Sequence, residues 1–185
     1  NNNTLINNTI RTQGSGGSNR GIWLANPSSG NLVSGNIITT NGTDSNIGVA
    51  LGAFANNNNV TNNTIRAQGS GNSNFGIYLS GTSLGNLVSG NTITTNGTSD
   101  NYGVRLQSSA HNNTLMSNNI TTVGTGSYGV FITGSNGSLF NNTILSNPVQ
   151  WIFTDTGTNN TFVNTSFVAL NSTVRFAGVL NASTA

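Results

Sequence analysis

Short apolar runs alternate with polar residues at period two along this chain, and the runs return at nearly constant intervals. In the pattern N-x-[LV]-x-x-N-x-I, the first apolar position falls at Leu5, Val33, Val60, Val88, Leu115, Leu139 and Phe162. The second, five residues on, falls at Ile10, Ile38, Ile65, Ile93, Ile120, Ile144 and Phe167. A further apolar segment follows in step: Gly21-Ile22-Trp23-Leu24, Gly48-Val49-Ala50-Leu51, Gly76-Ile77-Tyr78-Leu79, Gly103-Val104-Arg105-Leu106 and Gly129-Val130-Phe131-Ile132. The runs are rich in β-branched residues and bounded by Gly, Asn and Ser, which predicts strands. Asn, Gly and Thr are poor helix formers, so helical repeats are excluded. Self-similarity is strongest at a lag of 55, where NNTIRTQGSGGSNRGIWL from Asn7 recurs as NNTIRAQGSGNSNFGIYL from Asn62. A unit of two coils has been duplicated.

Strands at this period fit a chain wound so that each strand lies about 4.8 Å above its equivalent in the previous coil. The expected architecture is all-β, a parallel β-helix of about seven coils forming a single domain over 1–185. Inward columns such as Leu5, Val33 and Val60, or Leu24, Leu51 and Leu79, stack into the core. Each coil adds about four aliphatic side chains, at ~1.5–3 kcal/mol apiece on burial. One polar column joins them two residues before each Ile or Phe: Asn8, Asn36, Asn63, Asn91, Asn118 and Asn142, then Thr165. Stacked amides can pass hydrogen bonds from coil to coil, so this column reads as a structural asparagine ladder.

These columns resemble the right-handed parallel β-helix repeat proteins of the pectate-lyase-like superfamily, in particular the Asn-rich type with NNTI and GIYL runs. The resemblance covers essentially the whole chain and implies the right-handed winding, which parallel crossovers favour generally. The superfamily holds polysaccharide lyases and hydrolases, carbohydrate-binding proteins, adhesins and tailspikes, so it implies a fold and leaves function open.

Charge changes the picture. The chain carries five Arg, three Asp, one His and no Lys, Glu or Cys, while Asn, Thr, Ser and Gly fill 108 of 185 positions. The net charge of +2 is spread over the chain, and a nucleic-acid footprint needs a dense basic patch. No segment approaches the roughly 20 apolar residues of a membrane span. Without Cys, disulfide and thiolate-metal sites are impossible.

Polysaccharide hydrolysis would need two carboxylates about 5 to 9.5 Å apart. The acids are Asp44, Asp100 and Asp155; the first two lie two coils apart and one residue out of step, and all three read as turn formers. Lyases of the resembled superfamily use clustered acidic calcium ligands beside a basic residue, and no such cluster is present. His111 stands alone in a predicted turn, without an orienting acid. The Gly-rich runs at Gly14-Ser15-Gly16-Gly17 and Gly69-Ser70-Gly71 join two strands, which gives phosphate binding no support. The sequence therefore predicts no enzyme, no metal and no cofactor.

Two features carry functional content. The middle residue of the Gly-led strand should face outward, giving a stripe of Trp23, Ala50, Tyr78, Arg105, Phe131 and Ile152, with Arg175 above. Arg105 is placed to stack between Tyr78 and Phe131. Such a stripe fits a protein contact, a platform for sugar rings, or cross-strand stacking on a solvated face. The second feature is fourteen N-x-[ST] sequons. The glycosylation candidates are Asn7, Asn41, Asn62, Asn96, Asn112, Asn136, Asn141, Asn159, Asn164 and Asn171, which imply covalent N-glycans and an extracellular or cell-surface location. Strand edges without a polar cap, on a surface with few charges, favour self-association. The leading expectation is a structural protein whose subunits assemble into a fibre or surface layer. The alternative is a carbohydrate-binding module, or an inactive relative of polysaccharide-processing enzymes, that uses the stripe.

Overall fold

The computed structural model describes residues 1–146, 150–154 and 157–168. The strands stack into three long parallel sheets, and the chain visits sheet A, then B, then C in each coil. Sheet A holds seven strands: Thr4–Ile6, Leu32–Ser34, Asn59–Thr61, Leu87–Ser89, Thr114–Met116, Leu139–Asn141 and Thr161–Val163. Sheet B holds seven more: Thr9–Gln13, Ile37–Gly42, Thr64–Gly69, Thr92–Asn96, Asn119–Thr122, Ile144–Ser146 and Ser166–Val168. Sheet C has six: Arg20–Leu24, Ile47–Leu51, Phe75–Ser80, Tyr102–Gln107, Tyr128–Thr133 and Gln150–Thr154. Every pairing between these strands is parallel, and Val33 pairs with Leu5 and Val60 as the repeat requires.

The core is a bundle of vertical columns. Val33, Val60, Val88, Leu115, Phe140 and Phe162 line sheet A, while Ile38, Ile65, Ile93, Ile120 and Leu145 line sheet B. Val49, Ile77, Val104 and Val130, with Leu51, Leu79, Leu106 and Ile132, line sheet C. In the sixth coil the register departs from the sequence expectation. Phe140, not Leu139, pairs with Leu115, and Leu145, not Ile144, pairs with Ile120. The adjacent apolar pairs Leu139-Phe140 and Ile144-Leu145 leave the pattern ambiguous, and packing decides it. Phe140 is fully buried and stacks on Phe162 with ring centroids 4.4 Å apart.

The same slip moves Asn142 out of the asparagine ladder. Thr143 occupies the inward place and is buried, while Asn142 sits in the turn with φ of 48°. Asn tolerates that left-handed conformation better than most residues. Below it the ladder is as expected. Asn8, Asn36, Asn63 and Asn91 each donate Nδ2–H to the Oδ1 of the next, ending on Asn118, over 3.0–3.1 Å. Each accepting Oδ1 also takes the backbone N–H of its donor. The second Nδ2 hydrogen reaches a core-strand carbonyl, as from Asn63 to Val33 at 3.0 Å.

Two further ladders escaped the sequence reading. Asn3, Asn31, Asn58, Asn86 and Asn113 pass amide bonds of 2.7–3.1 Å at the entry to sheet A. Asn19, Asn46, Asn74 and Asn101 do the same before sheet C over 2.7–3.0 Å. All three corners of the coil are thus closed by amide ladders that are buried from the second coil up and bonded within the chain.

The turn between sheets A and B explains the two-coil repeat. Its left-handed position is Asn7, Gly35, Asn62, Gly90 and Ser117 in successive coils, with φ between 54° and 66°. The Oδ1 of Asn7 fills the space a Cβ on Gly35 would need, and Asn62 does the same to Gly90. Up to Gly90 each asparagine is therefore followed by glycine in the next coil, whereas higher up Asn142 is followed directly by Asn164, with φ of 48° and 47°. The turn before sheet A repeats the alternation as Asn2, Gly30, Asn57, Gly85, Asn112 and Gly137.

Candidate functional site

Sheet C carries the chemistry because each of its complete strands has two outward columns. The glycine second in each strand lies so close to its neighbours that side-chain alternation breaks around it. A Cβ on Gly76 would overlap Ile93 across the core and come within 2.6 Å of the Gly103 carbonyl oxygen. The residues flanking the glycine and following it, three apart, therefore both face out. One column is the expected Trp23, Ala50, Tyr78, Arg105 and Phe131. Its next register position is Phe153, since Ile152 pairs with Val130; Arg175 lies outside the described residues.

The other column, Arg20, Ile47, Phe75, Tyr102 and Tyr128, was missed. The signal was present: an aromatic residue precedes the glycine in three consecutive coils. Together the columns build an external apolar cluster in which Phe75 is 5% and Tyr102 8% exposed. Phe75 stacks on Tyr102 at 5.3 Å and Tyr102 on Phe131 at 4.4 Å, with interplanar angles of 3° and 11°. The Arg105 guanidinium carbon lies 5.0–5.7 Å from the rings of Phe75, Tyr78, Tyr102 and Phe131. Its buried Nε has no hydrogen-bond partner, so the ring faces carry much of the solvation of that charge. Gln107 donates to the Tyr78 hydroxyl at the edge of the cluster.

Burial pushes the Tyr102 hydroxyl up to about 12, with the neighbouring Asp100 carboxylate adding to the effect through its charge and a hydrogen bond. Tyr102 is thus a proton donor near neutrality. The stripe is less open than a bare ladder, because the second column covers its middle. Its free end is Trp23, 59% exposed, with the Arg20 guanidinium 4.9 Å above the indole. Small Ala50 in the next coil leaves room for that ring. The face as built offers ring surfaces and cationic or neutral donors, the combination that suits polyhydroxylated rings.

The remaining sequence candidates lie elsewhere. Asp44 and Asp100 are exposed in the turns between sheets B and C, one residue out of step as expected. The Asp44 carboxylate accepts the Asn72 N–H at 2.6 Å, and Asp100 accepts from the Ser99 hydroxyl at 3.1 Å. Asp155 lies outside the described residues. His111 is half-buried in the turn between sheets C and A, and its Nδ1 accepts the Asn136 N–H at 2.9 Å. That bond puts the proton of the neutral ring on Nε2. Among the described residues no group of three metal-ligating side chains occurs. Of the sequon asparagines, Asn7, Asn41, Asn62, Asn96, Asn112, Asn159 and Asn164 are exposed, and Asn136 and Asn141 are half-buried. Asn171 lies outside the described residues. No helix among the described residues is long and apolar enough to cross a membrane.

Three parallel sheets closed by amide ladders, with an aromatic and arginine-bearing outer face, define a parallel β-helix repeat protein. The family model "Right handed beta helix region" matches residues 52–167, more than half the chain, and the chain belongs to that family. Among solved structures it is similar to the A-module of a mannuronan C-5 epimerase of Azotobacter vinelandii, with TM-score 0.65 and 14% identity. That match covers 95% of this chain and 57% of the epimerase module. A double mutant of the periplasmic alginate epimerase AlgG matches with TM-score 0.62 and 14% identity over 96% of this chain and 44% of its own. AlgG itself gives 0.57, at 15% identity, with the same coverage. The chain thus spans about half the length of these proteins. No curated protein matches it in sequence. The likeness is one of fold, and it corrects the expectation that the chain is no enzyme: the solved structures that share its winding are enzymes.

Proposed function

We propose that this chain is the polysaccharide-engaging β-helix of a carbohydrate-active protein that works outside the cytoplasm. The observation that carries this reading is the outer face of sheet C, where exposed Trp23 lies under Arg20 at the open end of a ring cluster centred on Arg105. Indole and phenol faces hold sugar rings through apolar C–H surfaces, while arginine and tyrosine donors fix the hydroxyls. Two of the similar structures are of a periplasmic alginate epimerase, which supports both the substrate class and the location.

Calorimetric titration with alginate, pectin, xylan and dextran fragments tests the reading. At least one polysaccharide binds, and Trp23→Ala weakens that binding about tenfold, the loss of one good stacking contact. Absence of binding across the panel, or wild-type affinity in Trp23→Ala, refutes it.

A further inference from the structure

The sequons become unequal once the chain is wound. Corner asparagines such as Asn7, Asn62 and Asn112 seat their Oδ1 over the glycine of the next coil, so their amides are part of the stacking. Asn136 Oδ1 accepts the Thr158 N–H at 2.7 Å. All the described sequons but two place a residue of an inward column at their middle or last position, as Val60 follows Asn59 and Ile120 follows Asn119. The exceptions are Asn41-Gly42-Thr43 and Asn96-Gly97-Thr98, which cross the end of a sheet B strand into the turn toward sheet C. Asn41, Thr43, Asn96 and Thr98 are all exposed, and among the described residues neither asparagine side chain makes a hydrogen bond. Both asparagines stand in one outward column, Gln13, Asn41, Gln68 and Asn96. Two strand spacings separate them, about 9.6 Å along the axis. The alternate coils carry glutamine before the same glycine, at Gln13-Gly14 and Gln68-Gly69.

We propose that Asn41 and Asn96 are modification sites that carry N-linked glycans. The sequon is the acceptor signal for a transferase whose co-reactant is a lipid-linked oligosaccharide. Asparagine Nδ2 attacks the anomeric carbon of that donor: an N–C bond forms, the C–O bond to the donor's phosphate breaks, the phosphate leaves with the electron pair, and the amide gives up one proton. Glycine at the middle position leaves the approach to each Nδ2 clear of a neighbouring side chain. Glycans on every coil would stand at the ~4.8 Å strand spacing, too close to lie side by side, and the glutamine coils double that distance while keeping an amide in the column. Sugars along this edge hydrate a surface that has only five Arg and three Asp to keep it in solution. Glycans here share with the proposed polysaccharide binding only a location outside the cytoplasm, and either can fail while the other stands.

The test expresses the full chain behind a signal peptide in yeast and maps intact glycopeptides by mass spectrometry. Intact glycopeptides are needed because an Asn-Gly bond also ages to Asp without any glycan. Asn41 and Asn96 are occupied in most of the secreted chains. The double variant Asn41→Gln/Asn96→Gln, which places in these coils the residue already present at Gln13 and Gln68, loses the mass of two glycans and keeps the circular dichroism of the parent. Should yeast retain the parent chain, the retained chain is mapped in the same way, since transfer precedes export. Bare Asn41 and Asn96 in either pool overturn the proposal, as does a double variant that keeps the parent's glycan mass. Equal occupancy of Asn7 and Asn62 in chains of unchanged circular dichroism overturns the selection by geometry.

Discussion

Replacing Asn63 by Ala tests whether the amide ladders hold the corners of the coil closed. Asn63 is 1% exposed, and its side chain makes four hydrogen bonds of 2.9–3.0 Å: it accepts N–H and Nδ2–H from Asn36 and donates to Asn91 Oδ1 and Val33 O. Asn91 Oδ1 keeps the Asn63 backbone N–H in the variant, and Asn36 Nδ2 keeps the Leu5 and Ser34 carbonyls, so the sharpest loss falls on the Asn36 backbone N–H. A buried group left unpaired costs ~1–3 kcal/mol, which sets the expected destabilisation at about 1–3 kcal/mol. That is a large share of the ~5–15 kcal/mol available to a typical domain. Urea unfolding followed by far-ultraviolet circular dichroism measures it, with exposed Asn119→Ala as the reference, expected within ~0.5 kcal/mol of wild type. Asn63→Asp adds a second reading. Its carboxylate would face acceptors at Val33 O and Asn91 Oδ1, so its folded pKa rises above the unfolded value. The stability that variant retains is fullest below the unfolded pKa and is lost as pH rises through the folded one. Should Asn63→Ala unfold no more easily than Asn119→Ala, the ladders are ornament and the argument for them fails.

Three other perturbations probe separate links. Gly35→Ala sets a Cβ against Asn7 Oδ1 and destabilises the chain, whereas adding Asn7→Gly restores part of the loss; a double-mutant cycle by thermal melting that shows plain additivity refutes the steric account. Thr95→Val removes a fully buried hydroxyl that has no hydrogen-bond partner and raises stability by about 1 kcal/mol in urea titration; a lower midpoint refutes it. Tyr102, with its folded pKa raised to about 12 from 10.0, supplies stability present below pH 10 and lost between there and pH 12. Alkaline unfolding of Tyr102→Phe is therefore less steep in that window, and an unchanged pH profile counts against the buried hydroxyl as its origin.

The winding was legible because it depends on positions that recur: Val33 over Leu5 and Ile38 over Ile10 need only period and polarity. One ladder showed itself through the N-x-I spacing. The Asn31 and Asn46 columns obey the same stacking but precede different local sequences, so a single pattern did not gather them. Where two apolar residues adjoin, as at Leu139-Phe140, period alone cannot choose the inward one, and ring stacking with Phe162 decides. The aromatic face was half legible. Strict alternation points to Trp23 and Tyr78, but the close approach of Gly76 to Ile93 and Gly103 breaks alternation and turns Phe75 outward too. Such a contact between coils leaves a glycine column in the sequence without saying which neighbours it turns.

The asparagine and glycine alternation at the left-handed corners also bears on ancestry. Removing a glycine-bearing winding or adding an asparagine-bearing one among the first four would set asparagine against asparagine along two edges at once, while a change by two keeps the alternation there. A lineage built this way lengthens in doublets. Odd-numbered relatives should carry a compensating small residue, such as the serine at Ser117, where the rhythm is broken.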